Sequence, residues 1–393
     1  MPIITDEKII DEILTRGTQD VIVRDNLKKR LMSGKQLRIK HGIDPTGPKI
    51  HLGRASTMRK LGKFQELGHK IILIIGDFTG QIGDASDKDA ERPMLSAKQV
   101  KENMKDYLNQ LKKVFNTDEA EIKYNSEWLA KLNFNDISKL ADNFSVAEMI
   151  DRENFSKRFK EGKRISVREF MYPLMQGYDS LAVEADIEIG GSDQLFNLLA
   201  GRTIQKNNKQ EPQDIITFKL LEGTDGRKMS TSWGNVILIE DEPNNMFGKI
   251  MSIRDELLEK YFEICTDVSM EEVKKIIGSP RDAKIKLAYE IVKIYHSEAE
   301  AEKAKEYFIK TVSNKETPEI VASIEASMEA SIVSVMVKAG MAESNADAKR
   351  KMEQGGVMIG DRKITDIKAT IKSGMDGKIL KVGKREFRKI AIK

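Results

Sequence analysis

Among 393 residues there is one cysteine, Cys265. A disulfide framework within the chain is therefore excluded, and so is a zinc site built on cysteines. Long apolar runs are missing too. The longest, Ile71–Ile75, falls far short of the roughly 20 residues that span a bilayer, which excludes an integral helical membrane protein. The opening stretch, Met1–Gly17, mixes acids among its apolar residues and lacks the basic-then-apolar order of a secretory signal. Together with the single thiol, this points to a reducing cytoplasm. Internal repeats and low-complexity segments are absent. What is present is an ordinary soluble composition, 40% hydrophobic and 33% charged. At roughly 100–200 residues per domain, the length allows about two to four domains.

The net charge of +4 is unevenly spread. Residues 331–393 hold 15 Lys/Arg against 7 Asp/Glu, a net of +8, which leaves −4 on the rest of the chain. A small basic tail on a mildly acidic body fits a polyanionic partner such as nucleic acid, or a solvated surface that is merely basic.

Patterning divides the chain in three. Gln36–His41 is strand-like and runs into a loop with Gly42, Pro45, Gly47 and Pro48; a helical stretch follows over 52–67, closed by Gly68. Lys70–Ile75 then reads as a strand buried on both faces, as in parallel sheets under helices. Ser96 and Gln99 have capping-box spacing, and Val100, Met104, Leu108, Leu111 and Phe115 continue at helical period. This alternation predicts a doubly wound, Rossmann-like parallel sheet. Residues 255 to about 327 carry apolar stripes at helical period and read as helical throughout. The tail alternates short helices, at 332–339 and 345–354, with short strands at 357–359, 379–382 and 387–392, which makes a compact α+β module.

Four segments carry chemistry. His41–Arg54 is a tight loop leading into a helix start with His51, Gly53 and Arg54. Unpaired N–H groups at a helix N-terminus attract anions, and Gly53 lets a flat ring or phosphate approach the backbone. Equally, such a cluster can be a helix start with a solvated arginine. Asp225–Ser232 is a polar, glycine-containing loop with Lys228 and three hydroxyls, suited to a phosphate clamp or to an ordinary surface loop. Tyr172, Gln176 and Asp179 fall at i, i+4 and i+7, one face of a helix, which suits an aromatic ligand with polar ends or simply a wet helix edge. Ile187–Gln194 reads as a strand breaking into a Gly190–Gly191 turn, with Asp193 and Gln194 at its carboxyl end, where open α/β sheets bind ligands.

In this order and spacing, the segments Gly42–Gly53, Gly76–Asp84, Tyr172–Asp179, Gly190–Gln194 and Lys228–Ser232 resemble the class I aminoacyl-tRNA synthetases, and most closely the bacterial tyrosyl-tRNA synthetases, over essentially the whole chain. The tail resembles the RNA-binding module that this family shares with a small-subunit ribosomal protein. The resemblance implies a catalytic Rossmann-like domain over 1–232 with a connecting insertion, a helical domain over 240–328 facing the anticodon stem, and an RNA-binding module over 331–393. It implies ATP with Mg²⁺, L-tyrosine and tRNA(Tyr) as partners, a cytoplasmic homodimer, and no membrane. Tyrosine would attack the α-phosphate of ATP, and the adenylate would then acylate the tRNA 3′ end. No covalent enzyme intermediate is needed, so catalysis is positioning and charge stabilisation.

Residue by residue, the resemblance assigns His51 to the α-phosphate and Thr46 to the γ-phosphate. Gly53 would pack under adenine, Gly191 and Asp193 would hold the ribose, and Asp44 and Met229 would border the nucleotide. Lys228, Thr231 and Ser232 would close over pyrophosphate, with Lys88 and Arg92 adding cations. Asp84, Tyr172 and Gln176 would take the α-ammonium of tyrosine, Gln194 would lie near its carboxylate, and Asp179 would accept the phenol O–H. Phenylalanine would leave that carboxylate unpaired, and tyrosyl enzymes are the type case of such rejection without editing. Lys40 stands where one branch of the family has a tyrosine that touches the phenol. Two positions depart from the family pattern. Arg54 replaces a usual histidine and Thr231 a usual lysine, so a cation is lost at one end of the phosphate pocket and gained at the other. The alternative is an impaired paralogue that only binds RNA.

Overall fold

The structure, a computed structural model, describes residues 2–84, 94–313, 323–383 and 386–393, the side chains of Glu153, Ser232, Val312 and Ser313 excepted. The chain divides into two compact units, residues 1–241 with 252–287, and residues 242–251 with 288–393. Among the described residues, no helix is long and apolar enough to cross a membrane.

The first unit is built on a six-stranded sheet. Its strands are β1 (Thr18–Ile22), β2 (Arg38–Ile43), β3 (Lys70–Ile75), β4 (Glu121–Tyr124), β5 (Ile187–Gly191) and β6 (Asp214–Phe218), in the order β1-β6-β5-β2-β3-β4. All neighbours are parallel except the β1 edge, which runs antiparallel to β6. The expected doubly wound α/β fold is thus present, with an antiparallel edge added. The unbroken apolar run of β3 reflects its burial, since every residue after Lys70 is buried. The helix Leu52–Glu66 turns Leu52, Ala55, Met58, Leu61 and Phe64 inward. From β2 the chain winds outward to β3 and β4, then crosses back to β5 and β6. The winding therefore reverses between β2 and β5, and the carboxyl ends of those strands open the crevice where such sheets take ligands.

Two local expectations are corrected. The helical period over 100–115 is interrupted, giving helices Ala97–Met104 and Tyr107–Leu111 around Asp106, whose carboxylate accepts from Asn109 at 2.8 Å. The Ser96–Gln99 capping box forms as expected. The stretch to 327 is not helical to its end, because Ser323–Ala326 is a strand, β7.

In the second unit, β7 joins β8 (Val357–Ile359), β9 (Arg362–Lys363), β10 (Ile379–Val382) and β11 (Glu386–Ile392) in the order β7-β11-β10-β8-β9. The α+β tail therefore begins at β7, which runs parallel to β11. Its core gathers Ile324, Ile332, Met336, Met352, Val357, Leu380 and Ile390. The helix Asn345–Glu353 is capped by Ser344, as expected. Of its basic run, Arg350 and Lys351 both pair with Asp347 one turn earlier, at 2.5 and 2.7 Å. The helices Pro243–Met251 and Glu298–Phe308 of the same unit meet through Phe247 and Phe308, with ring centroids 5.5 Å apart.

Candidate active site

A cavity of about 940 Å³ lies at the carboxyl ends of β2 and β5. Every described residue expected at the site lines it, with one exception, Lys40. Lys88 and Arg92 lie outside the described residues, as does the Ser232 side chain.

One end is built from the loop after β2 and the start of the Leu52–Glu66 helix. The backbone around His51 is stitched to residues 237–239: Leu52 N donates to the Ile237 carbonyl at 2.8 Å and Ile239 N to Ile50 at 3.0 Å. His51 is buried, and its Nδ1 has no hydrogen-bond partner. Burial, reinforced by the Arg54 and Lys228 cations, pushes its pKa down to about 3, so the ring is neutral and carries one N–H. A Cβ at Gly53 would stand 3.2 Å from His51 Nδ1. The Gly53 N–H points at the Met229 sulfur, 3.4 Å away. Arg54 is a buttress as well as a cation. It donates to Thr46 Oγ1 and to the Tyr107 hydroxyl, both at 2.9 Å, and to the Asp44 carbonyl at 3.3 Å.

The opposite end is built from the helix Val167–Ala182, where Tyr172, Gln176 and Asp179 do share the face turned to the cavity. The Tyr172 hydroxyl donates to Asp44 at 2.8 Å, and Thr79 donates to the other Asp44 oxygen at 2.7 Å. Burial pushes the Asp44 carboxyl up to about 6, against the pull of those two donors. A Cβ at Gly76 would fall 2.0 Å from Asp44 Oδ1 and 2.3 Å from Thr79 Oγ1, so a side chain there would displace the Thr79–Asp44 hydrogen bond. At the deep end, Asp179 accepts from Trp128 Nε1 at 2.7 Å and from Asn125 Nδ2 at 3.2 Å. Burial raises Asp179 to about 7, although Lys40, Trp128 and Asn125 all oppose that rise. Asp84 accepts from Gln194 at 2.7 Å, and Gln194 in turn accepts from Asn197 at 2.9 Å.

The loop after β6 closes the third side. Asn235 organises it, donating to Asp225 at 2.7 Å and to the Lys228 carbonyl at 3.1 Å while accepting from Ser230 N at 2.9 Å. Lys228 pairs with Asp193 at 2.7 Å. Thr231 lines the mouth beside Trp233, whose ring carries the Arg227 guanidinium at 4.9 Å.

Thr79, Asn125, Trp128 and Glu188 join the site without having been legible in the sequence. Asn125 follows the carboxyl end of β4, a position with known ligand value in open sheets, but β4 itself was too short to read. Lys40 is fully buried behind the lining, 2.8 Å from Glu188.

Comparison with known proteins gives the same class. A family profile described as "tRNA synthetases class I (W and Y)" matches residues 32–313, and one described as "Tyrosine--tRNA ligase SYY-like C-terminal domain" matches 309–390. The tyrosine–tRNA ligase of Thermotoga maritima is 46% identical over 97% of this chain and 96% of its own length. That of Carboxydothermus hydrogenoformans is 47% identical over 96% and 97%. In fold, the chain is similar to a tyrosyl-tRNA synthetase from Archaeoglobus fulgidus, solved with L-tyrosine, with a TM-score of 0.61 at 21% identity, over 76% of this chain and 99% of that one. A truncated mitochondrial tyrosyl-tRNA synthetase from Coccidioides posadasii gives 0.62 at 24%, over 76% and 91%. The chain belongs to the class I aminoacyl-tRNA synthetases of the tryptophan and tyrosine type and, within them, to the tyrosyl-tRNA synthetase family.

Proposed function

We propose that this cavity carries both half-reactions of tRNA tyrosylation, with its two ends dividing the work. The observation that supports this most is the meeting in one cavity of a tyrosine-sized polar helix face, Tyr172, Gln176 and Asp179, with the anion-attracting cluster of His51, Gly53 and Lys228. In the first step the tyrosine carboxylate attacks the α-phosphate of ATP and pyrophosphate leaves. In the second the terminal ribose hydroxyl of tRNA(Tyr) attacks the tyrosyl carbonyl and AMP leaves.

Asp179 takes the phenol O–H, while Tyr172, Gln176 and Asp84 face the α-ammonium and Gln194 the carboxylate. Gly53 and Met229 border the adenine, Gly191 and Asp193 the ribose, and Asp44 the adenylate. His51 donates its one N–H to the α-phosphate. Thr46, steadied by Arg54, serves the γ-phosphate. Lys228 and Thr231 serve pyrophosphate, joined by Ser232, Lys88 and Arg92 on the strength of the family resemblance alone. The contact of Arg54 with Thr46 supports the idea that its cation offsets the lysine missing at Thr231. The carboxylates Asp44, Asp84 and Asp193 are each taken by a protein donor, which fits Mg²⁺ carried on ATP phosphates rather than caged by protein. Bound there, it would neutralise phosphate charge.

Residues 1–232 would then activate tyrosine, the helices within 240–328 would face the anticodon stem, and the basic tail, from β7 onward, would hold RNA. Removal of residues 323–393 should raise the KM for tRNA and flatten its salt dependence while sparing adenylate formation. A cytoplasmic homodimer through the α/β domain is also proposed, where Phe134, Val146, Phe159 and Val167 leave large apolar side chains exposed. Sedimentation of the whole chain would test it. The test of the reaction is ATP–pyrophosphate exchange without tRNA. Exchange with tyrosine, and not with phenylalanine or tryptophan, supports the reading; folded protein that binds tRNA without exchanging would return the impaired-paralogue alternative.

A further inference from the structure

Lys40 and Glu188 face each other in register on β2 and β5, where the winding of the sheet reverses. They are 0% and 1% exposed, with Lys40 Nζ 2.8 Å from Glu188 Oε1. A buried ion pair seldom adds stability over apolar residues of equal volume, so its presence beneath a binding cavity calls for another reason. That reason lies in what the pair holds. Lys40 Nζ also donates to the Gln176 backbone carbonyl at 2.9 Å and to Ser180 Oγ at 2.8 Å. Glu188 accepts from Ser180 Oγ at 3.0 Å, from Gln213 Nε2 at 2.5 Å and from the Gln176 side-chain amide, Nε2, at 3.1 Å.

A carboxylate only accepts, so the Gln176 amide must turn its NH₂ to Glu188 and its oxygen the other way. No hydrogen bond among the described residues engages that oxygen, and Gln176 lines the cavity. We propose that the Lys40–Glu188 pair is a positioning element for amino-acid recognition, which locks the Gln176 amide with its oxygen toward the ligand's α-ammonium. The inference rests on reading the cavity as a tyrosine site. Lys40 supplies the opposite charge that a buried carboxylate requires and ties the helix backbone at Gln176 to the sheet. Without Glu188 the amide is free to flip, and an inward NH₂ would oppose the ammonium.

Two ligands separate this role from general damage. Tyramine keeps the ammonium and lacks the carboxylate; 3-(4-hydroxyphenyl)propionate has the reverse. Each is titrated calorimetrically into the full chain, the Glu188→Gln variant and the Lys40→Met/Glu188→Gln variant. The double variant removes both charges together, so it leaves no unpaired buried lysine, and it carries the test if the single variant fails to fold. The expected result is tyramine weakened about tenfold or more in both variants, as for loss of a charge-assisted hydrogen bond, with the propionate changed less than about twofold. Equal weakening of both ligands, or tyramine binding restored in the double variant, would overturn the proposal. Wild-type protein that binds neither ligand and shows no tyrosine-dependent exchange would instead overturn the tyrosine reading beneath it.

Discussion

The two ends of the cavity are built on different principles. At the proposed tyrosine end, side chains are held by protein partners: Asp179 by Trp128 and Asn125, Asp44 by Tyr172 and Thr79, Gln176 by Glu188. At the phosphate end, His51 keeps an unpartnered Nδ1, Lys228 is drawn to Asp193, and the loop that bears it is partly exposed. On the proposed reading, the first end is preorganised for an amino acid that must be told from close relatives. On the same proposal, the second keeps Lys228 and Arg54 on protein partners that a nucleotide's phosphates would compete with. If so, recognition and transition-state stabilisation should fail separately.

The sharpest way to break the comparison is Lys228→Ala. If Lys228 acts on the leaving pyrophosphate, single-turnover adenylate formation should slow by about 10²–10³-fold with tyrosine affinity unchanged. Asp179→Asn attacks the other end. It should lower kcat/KM for tyrosine by about 10- to 150-fold, the loss of one charge-assisted hydrogen bond, and leave exchange with phenylalanine no worse. Arg54→Ala should fall between the ends. Its guanidinium supports Thr46 and the Asp44 carbonyl, so adenylate formation should slow by about tenfold, the lower edge of that range, and unchanged rates would remove the idea of a displaced cation.

The last effect is one of pH. The Asp179 carboxyl sits at about 7 because burial disfavours its charge. The phenol O–H is best met by the carboxylate, and protonation competes with it. Tyrosine affinity should therefore be full above that pH and fall as pH drops through it, by up to about tenfold per unit. Titrations of tyrosine binding from pH 8 to 5.5 would read this, and Asp179→Asn should flatten the profile.

Much of this contrast was legible in the sequence, and for a physical reason. Tyr172, Gln176 and Asp179 share one helix, so spacing alone puts them on one face. His51, Gly53 and Arg54 share one loop-to-helix junction. What stayed hidden is what joins separate elements. Glu188 meets Lys40 only because β2 and β5 become neighbours through a crossover of well over a hundred residues, and it meets Gln176 only because the Val167–Ala182 helix folds back onto β5. Asn125 and Trp128 reach Asp179 from beyond β4, a strand of four half-buried residues with no readable alternation. In the tail, β7 offers only Ile324 and Ala326 to the core, too little to mark a strand until β11 lies beside it. Arg54 could be read as a cation near phosphate, but its grip on Thr46 and Tyr107 depends on how the loop folds back.

The most direct test of two separable ends is equilibrium binding of tyrosine in the absence of ATP, to the wild-type chain and to Lys228→Ala. The same tyrosine affinity is expected for both, with only adenylate formation slowed in the variant. Tyrosine binding that requires ATP, or that disappears with Lys228, would contradict that expectation.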